Sequence, residues 1–105
     1  MNEAAKAFIG KHDFASFMSS GSSVENTVRE IKYFNVTRDN DLIKINVASD
    51  GFLYNMVRIL VGTLIEVSEG KISKSDIPDI IESKNRKLAG FTAPPQGLYL
   101  NKVVY

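Results

Sequence analysis

The chain has 105 residues, of which 44% are hydrophobic and 24% are charged, and its formal net charge is +1 at pH 7. This composition fits one globular domain and excludes a wholly disordered or fibrous chain. A charge so close to neutral does not by itself indicate a nucleic-acid-binding protein. The absence of cysteine excludes disulfides and thiolate metal sites, and it is typical of a cytoplasmic protein.

Neither a membrane span nor a zinc site is predicted. The longest apolar-rich stretch, residues 52–67, is interrupted by Asn55, Arg58 and Glu66 and falls short of the length that crosses a bilayer. The first residues lack the basic and apolar segments of a signal peptide. His12 is the only histidine, and a zinc site needs more nitrogen or sulfur ligands than that.

The N-terminal part is predicted to be helical. A short helix should run from an N-cap at Asn2 to Ile9, with Gly10 as its C-terminal stop. A second short turn follows, in which the apolar residues at helical spacing are Phe14, Phe17 and Met18. Residues 19–23, Ser-Ser-Gly-Ser-Ser, predict a flexible loop.

Two strands follow, over Val28–Thr37 and Leu42–Ser49, joined by the polar turn 38–41. The second strand alternates cleanly, and its apolar face carries Ile43, Ile45 and Val47. The first strand has apolar residues on both parities, which predicts a bulge near Tyr33.

The most regular helix is predicted over residues 52–68, where apolar residues recur at helical spacing until Gly70. A further helix over Asp76–Lys84 should be capped by Ser73 or Ser75. An irregular loop with two prolines, 89–95, then leads to a strand over 97–105. This order predicts an α+β fold: an antiparallel or mixed sheet of three or four strands, with two to three helices packed on one face.

Arg58 is the first candidate for a functional role. It shares a stripe of the long helix with Asn55, Gly62 and Glu66, and this spacing alone favours the solvated side of an amphipathic helix. However, positions 54, 55, 61 and 62 hold no carboxylate, so Arg58 has no acidic partner at neighbouring positions of its own helix. If Arg58 is buried, its partner must come from elsewhere, because an unpaired buried charge is strongly destabilising.

Two further segments stand out. Residues 90–100, Gly-Phe-Thr-Ala-Pro-Pro-Gln-Gly-Leu-Tyr-Leu, are typical of a stiffened loop that leads into an edge strand. The densest basic segment contains Lys84, Arg86 and Lys87. These cations could contact RNA phosphates, although a basic cluster is more often a solvated helix end that complements the helix dipole.

Several motifs taken together resemble the C-terminal domain of the bacterial tRNA pseudouridine synthase A family. They are Met-Asn-Glu-Ala-Ala at 1–5, Gly-Lys-His-Asp-Phe-Ala-Ser-Phe at 10–17, Phe-Leu-Tyr-Asn-Met-Val-Arg at 52–58 with Gly62, and the segment 86–100 with its Leu-Ala-Gly, Thr-Ala-Pro-Pro and Gly-Leu-Tyr-Leu motifs. The motifs follow the family's order from the first residue to the last.

The resemblance implies that residues 1–105 form the C-terminal domain of such a synthase, a ferredoxin-like or RRM-like half. The family isomerises uridine to pseudouridine at positions 38, 39 and 40 of the tRNA anticodon stem-loop, without a cofactor. Its full-length members are homodimers of the cytoplasm, with no membrane partner. The nucleophilic aspartate lies in the N-terminal half, in an Arg-Thr-Asp motif that this sequence lacks. The chain alone is therefore expected to be inactive, with the N-terminal half as its partner.

The resemblance also implies roles for single residues. Arg58 matches the arginine that forms a salt bridge with the catalytic aspartate, which would supply the partner missing from its own helix. Leu98 matches an aliphatic residue packed near the target base, and Phe52 and Met56 are expected to shape the same wall. Asn55, a further candidate substrate contact, stands where histidine is commoner.

Two other functions remain open. An RNA-binding module would stack bases on sheet aromatics and bind RNA alone. Aromatic residues on the predicted strands are Tyr33, Phe34, Tyr99 and Tyr105, but they form no RNP-like string. A dimerisation module would expose an apolar face and associate without RNA. An active-site wall, in contrast, predicts that Arg58 matters only when the other half is present.

Overall fold

The computed structural model of the chain describes residues 2–19, 26–39, 41–53, 55–94 and 96–104. Within these ranges the fold is α+β, with a mixed sheet in the order β1-β2-β3-β4 and three α-helices. The strands are β1 (Gly10–Asp13), β2 (Val28–Asp39), β3 (Leu42–Ser49) and β4 (Leu98–Val104). The helices are α1 (Asn2–Ala5), α2 (Met56–Ser68) and α3 (Ile77–Ser83). No helix in the described part is long and apolar enough to cross a membrane.

The sheet combines two kinds of pairing. β1 pairs with β2 and β2 pairs with β3, both antiparallel. β4 pairs in parallel with β3, so that Ile43 lies opposite Leu98 and Ser49 lies opposite Val104. A parallel neighbour needs a long crossover, and here the crossover contains α2 and α3. The two helices therefore connect β3 and β4, which are neighbours in the sheet.

The bulge predicted near Tyr33 is confirmed, since the register of β2 against β3 shifts between Ile31 and Tyr33. The extra residue shifts the alternation of side chains between the two faces by one position. As a result Ile31 and Phe34, which have opposite parity, are both buried in the core. This accounts for the apolar residues on both parities of the sequence.

The core lies between one face of the sheet and the helices. β3 contributes Ile43, Ile45 and Val47, the residues that its alternation predicted. α2 contributes the fully buried side chains Met56, Leu60 and Leu64. The opposite face of the sheet is polar and exposed, as at Asn35 and Lys44, and Tyr99 there is 60% exposed. In the described part of the chain the helices thus cover one face of the sheet.

The N-terminal elements differ from the predicted ones. α1 ends at Ala5 and continues as a 3-10 turn over Lys6–Phe8, instead of reaching Ile9. The stop at Gly10, which has φ +109°, does not lead into a turn but opens β1. β1 forms because β2 offers its edge, with Gly10 opposite Ile31. Such pairing is a tertiary contact, and it cannot be predicted from the sequence of a four-residue polar segment.

The long helix begins at Met56, four residues later than predicted. Asn55 adopts a left-handed backbone with φ 57°, which separates the helix from the preceding segment 50–53. The helix predicted over Asp76–Lys84 is α3, but neither predicted serine caps it, because its N-cap is Asp76, which makes no side-chain cap hydrogen bond. Ser73 instead caps the preceding 3-10 turn, where its hydroxyl accepts a hydrogen bond from the N–H of Ser75. Of the loop predicted over 19–23, only Ser19 is among the described residues.

Candidate functional site

Arg58 lies in the first turn of α2, half-buried and held by two side-chain hydrogen bonds. Its Nε donates to the carbonyl oxygen of Ala93 at 2.7 Å, and its Nη1 donates to the Oδ1 of Asn55 at 3.4 Å. In return the N–H of Ala93 donates to the backbone carbonyl of Arg58 at 3.0 Å. The guanidinium is therefore held by one backbone carbonyl at Nε and by one side-chain amide at Nη1.

The positive charge of Arg58 has no acidic partner within the described residues, because none of their ion pairs includes it. Glu66, the carboxylate on its own stripe of α2, instead accepts a hydrogen bond from the N–H of Phe91 at 3.1 Å. Carbonyl and amide oxygens hold the arginine in place, but they do not neutralise it.

Residues 90–93, which we call the docking loop, pack along the Arg58 side of α2. The N–H of Gly90 donates to the Oγ1 of Thr63 at 2.9 Å. That hydroxyl is fully buried and in turn donates to the carbonyl of Ile59 at 2.8 Å. The N–H groups of Gly90 and Phe91 thus find their acceptors on side chains of the helix, and that of Ala93 finds its acceptor on the helix backbone.

Two glycines allow the helix and the docking loop to touch. A Cβ on Gly62 would collide with the carbonyl oxygen of Phe91 and lie 2.8 Å from its carbonyl carbon. A Cβ on Gly90 would lie 2.5 Å from the Cα of Thr63. The interpretation of the Arg58 stripe as a solvated helix face is therefore wrong, because the docking loop covers it.

Arg86 supports the docking loop from its other side. Its Nη1 donates to the carbonyl of Gly90 at 2.7 Å, and its Nη2 donates to the Oγ1 of Thr92 at 3.2 Å. The other two basic candidates differ from it: Lys84 forms a long ion pair with Asp13, at 3.7 Å, and Lys87 is exposed. The contact of these three with RNA stays a prediction, and Arg86 has a structural role in addition.

A pocket of about 300 Å³ opens beside Arg58. Its lining comprises Phe52, Leu53, Asn55, Met56, Val57, Arg58 and Lys102. The structure therefore brings together four of the five residues predicted for the active-site wall. The fifth, Leu98, does not line this pocket; it is half-buried at the start of β4, beside Ile43.

Lys102 lines the pocket although the sequence analysis did not select it. The alternation of β4 could have indicated this position, because Leu98, Leu100 and Lys102 share one parity. A lysine at the third of these positions breaks an otherwise aliphatic face. The part of the pocket lining that the structure describes thus contains two cations and no carboxylate.

The described residues offer no alternative metal chemistry, since no group of three or more His, Cys, Asp or Glu side chains among them could hold a metal ion. His12, the single histidine, contacts the carbonyl of Ile9 through its Nε2 at 3.1 Å. The chemistry of the pocket is that of an apolar wall with positive charge and fixed hydrogen-bond donors.

Comparison with known proteins connects this arrangement with a family. The sequence model of the tRNA pseudouridine synthase family matches residues 4–105. Proteins named tRNA pseudouridine synthase A are 55% identical in Acetivibrio thermocellus, 52% in Clostridium botulinum strain Eklund 17B and 50% in Thermoanaerobacter sp. strain X514. Each alignment covers all of this chain and 43% of the relative's length. The chain belongs to the tRNA pseudouridine synthase family.

Proposed function

We propose that this chain is the C-terminal domain of a tRNA pseudouridine synthase and forms one wall of its active site. Its partner is the N-terminal half, whose aspartate would receive a salt bridge from Arg58. The observation that carries this proposal is the state of Arg58: half-buried, fixed by Ala93 and Asn55, and without an acidic partner among the described residues.

The contacts of Arg58 limit how a carboxylate can approach it. A guanidinium has five N–H donors in a planar fork, and a carboxylate binds best to two of them side by side. Nε is occupied by the carbonyl of Ala93, so the edge that contains Nε is not available for a two-point contact. The carboxylate would therefore bind end-on, to one N–H of Nη1 and one of Nη2.

An arginine in this position suits a nucleophilic carboxylate. Its positive charge lowers the pKa of a neighbouring carboxyl and fixes the orientation of its oxygens. Because the docking loop already holds the guanidinium, little side-chain freedom remains to be lost when the carboxylate arrives. Arg58 is thus organised for this contact before the second half binds.

The rest of the pocket would receive the target uridine. Phe52 and Met56 supply apolar surface, and Asn55 supplies amide groups close to the guanidinium. A base that leaves its stack needs such an apolar wall with a few polar contacts. Leu98, at the start of β4, would contact the base from a different direction once the second half completes the cleft.

The reaction we propose for the assembled enzyme is isomerisation of uridine to pseudouridine at positions 38, 39 and 40 of the tRNA anticodon stem-loop, in the cytoplasm and as a homodimer. The chain spans 43% of the length of the synthases that it matches. Since the nucleophile belongs to the other half, the chain alone should be inactive.

A base-stacking RNA module is a weaker explanation of the same chain. Phe34 is buried in the core, stacked near Phe8 with ring centroids 6.1 Å apart, so it is not available to RNA. On the open face, Tyr33 lies opposite Ala48, whereas Tyr99 lies opposite Lys44. Four residues along β3 separate these positions by about 13 Å, too far for adjacent stacked bases.

The test is reconstitution. The chain and the N-terminal half of a relative are purified separately and mixed, and pseudouridine formation is measured on an anticodon stem-loop. We expect activity only from the mixture. Arg58→Ala should lower kcat by roughly a hundredfold or more, because a preorganised electrostatic contact is lost. Arg58→Lys should recover part of it, since the charge remains while the fork is lost.

Arg38→Ala is the matched control, because Arg38 is an exposed arginine on β2. It should leave the activity of the mixture unchanged. Binding of the two halves is measured for every variant, so that a failure to associate is separated from a failure to react. Turnover by this chain alone, or full activity of Arg58→Ala in an associated mixture, would overturn the proposal.

A further inference from the structure

The second cation of the pocket, Lys102, has a different environment from Arg58. It lies near the end of β4, opposite Val47 of β3, and its side chain is exposed while it lines the pocket. Within the described part of the chain its side chain takes part in none of the hydrogen bonds or ion pairs. No described side chain therefore occupies its ammonium group.

The side chain of Lys102 is out of place for a structural role. The same face of β4 carries the half-buried Leu98 and Leu100, which pack against the core. An aliphatic residue would continue that face, whereas the lysine adds a charge at the pocket that no described ion pair compensates. The charge is most simply explained by what enters the pocket.

The described lining of the pocket carries positive charge. Among the described residues, its lining carries the charges of Arg58 and Lys102 and no carboxylate, and the other described lining residues are apolar apart from Asn55. Low-dielectric walls strengthen the attraction between such cations and an anionic group. One carboxylate, that of the proposed catalytic aspartate, would compensate Arg58 alone and leave the second positive charge uncompensated.

We propose that Lys102 binds a backbone phosphate of the RNA whose target nucleotide occupies the Arg58 pocket; this rests on the proposed function. The geometry of each cation suits a different anion. The planar fork of arginine suits a carboxylate that must be oriented. The ammonium of lysine is a mobile point charge on a flexible stem, which suits a phosphodiester that needs to be held but not oriented.

Phosphate contacts also explain why the lysine is exposed. A nucleotide that leaves its helix keeps its phosphates at the solvent boundary while its base enters the pocket. The exposed end of Lys102 and the enclosed guanidinium of Arg58 would then match the two ends of one nucleotide. Lys102 is in this view a binding residue that holds the RNA beside the reacting base.

The experiment measures RNA binding at several salt concentrations. Fluorescence anisotropy follows a labelled uridine-containing stem-loop as it binds the mixture of this chain with the N-terminal half. We expect Lys102→Gln to weaken binding roughly three- to tenfold near 0.1 M salt. It should also reduce the slope of log K against log salt concentration by about 0.7 to 0.9, the contribution of one phosphate contact.

Two variants serve as controls. Lys44→Gln removes an exposed lysine from the opposite face of β3 and should change neither the affinity nor the slope. Lys102→Arg keeps the charge and should retain the slope. Association of the two protein halves is measured in parallel for Lys102→Gln, and it should be unchanged.

The outcomes separate this proposal from the one on which it rests. An unchanged affinity and slope for Lys102→Gln overturns the phosphate contact, even if Arg58→Ala abolishes the reaction. Weaker association of the halves, with unchanged RNA binding, assigns Lys102 to a protein carboxylate and also overturns it. A reduced slope for Lys102→Gln together with a fully active Arg58→Ala supports the phosphate contact and contradicts the role of Arg58.

Discussion

Gly62 and Phe91 lie in backbone contact, with no room for a side chain between α2 and the docking loop. One turn earlier on the same helix, Arg58 and Ala93 exchange two hydrogen bonds, one through the guanidinium and one through the backbone. The position of the loop and the position of the arginine are therefore linked. A change that displaces the loop also removes the carbonyl that holds Arg58.

Gly62→Ala should destabilise the protein by about 2–3 kcal/mol, through overpacking between two backbones. At an exposed helix position the same change would stabilise by about 1 kcal/mol, so the sign tests the contact. Urea unfolding monitored by circular dichroism gives the free energy. Ser68→Ala, at the exposed end of the same helix, should stay within about 0.5 kcal/mol of wild type. A stabilised Gly62→Ala would contradict the close approach of loop and helix.

Thr63→Val should cost about 1–3 kcal/mol, although the two side chains have nearly the same shape. The substitution leaves the buried N–H of Gly90 without its acceptor. Thr63→Ser is the control, since it keeps the hydroxyl and loses only a methyl group. The result is checked by thermal unfolding and by hydrogen exchange of the Gly90 amide. If the amide of the valine variant remains as protected as in wild type, the assigned hydrogen bond is wrong.

Arg86→Lys should separate a role in the docking loop from a role in RNA binding. The lysine keeps the positive charge but cannot bridge the carbonyl of Gly90 and the hydroxyl of Thr92. We expect a loss of about 1–2 kcal/mol in the free energy of unfolding. The salt dependence of RNA binding should not change. Arg38→Lys, at an exposed arginine, should affect neither quantity, and an equally neutral Arg86→Lys would remove Arg86 from the loop's support.

Asp50 gives the chain a pH-dependent contribution to stability. A hydrogen bond from the backbone N–H of Glu30, at 2.8 Å, lowers the pKa of its carboxyl below the ordinary value of 3.8. A lowered folded-state pKa stabilises the fold above the unfolded value, and the contribution disappears as pH falls through the folded value. Because Asp50 is exposed, the effect should stay under about 1 kcal/mol.

The measurement compares wild type with Asp50→Asn, which keeps the acceptor oxygen and removes the charge. The difference in unfolding free energy should be constant from pH 7 to about pH 5 and should vanish as pH falls below 3.8. Asp79→Asn, at an exposed residue of α3, serves as the control for general acid effects. A difference that grows with acidity would mean that the assigned direction of the pKa shift is wrong.

The elements set by local pattern could be predicted from the sequence. The alternation of Ile43, Ile45 and Val47 defined β3 at both ends, and the mixed parity of β2 revealed its bulge. β1 could not be predicted, because its backbone hydrogen bonds come from a strand that follows it in the chain. The start of α2 was predicted wrongly because Phe52 fits the helical period. The left-handed backbone of Asn55 cannot be recognised from the spacing of apolar residues.

Part of the site could likewise be predicted from the sequence, and part could not. Arg58 stood out because its own helix has no carboxylate three or four residues away, and the other wall residues were selected through the family resemblance. The covering of its stripe by the docking loop could not be predicted, since spacing within α2 says nothing about a segment some thirty residues later. Gly62 and Gly90 are the sequence features that relate to this contact. Their role becomes clear only from the short distance between the backbones of α2 and the docking loop.

The parallel pairing of β4 has a consequence for how the chain folds. The β2–β3 hairpin closes over a few residues, whereas β4 must return to β3 after about 50 residues that include two helices. Chain-closure entropy therefore delays this last contact relative to the hairpin and α2. Until it forms, one edge of β3 presents unpaired backbone groups beside Ile43 and Ile45. Refolding at high protein concentration should accordingly favour aggregates joined through that edge.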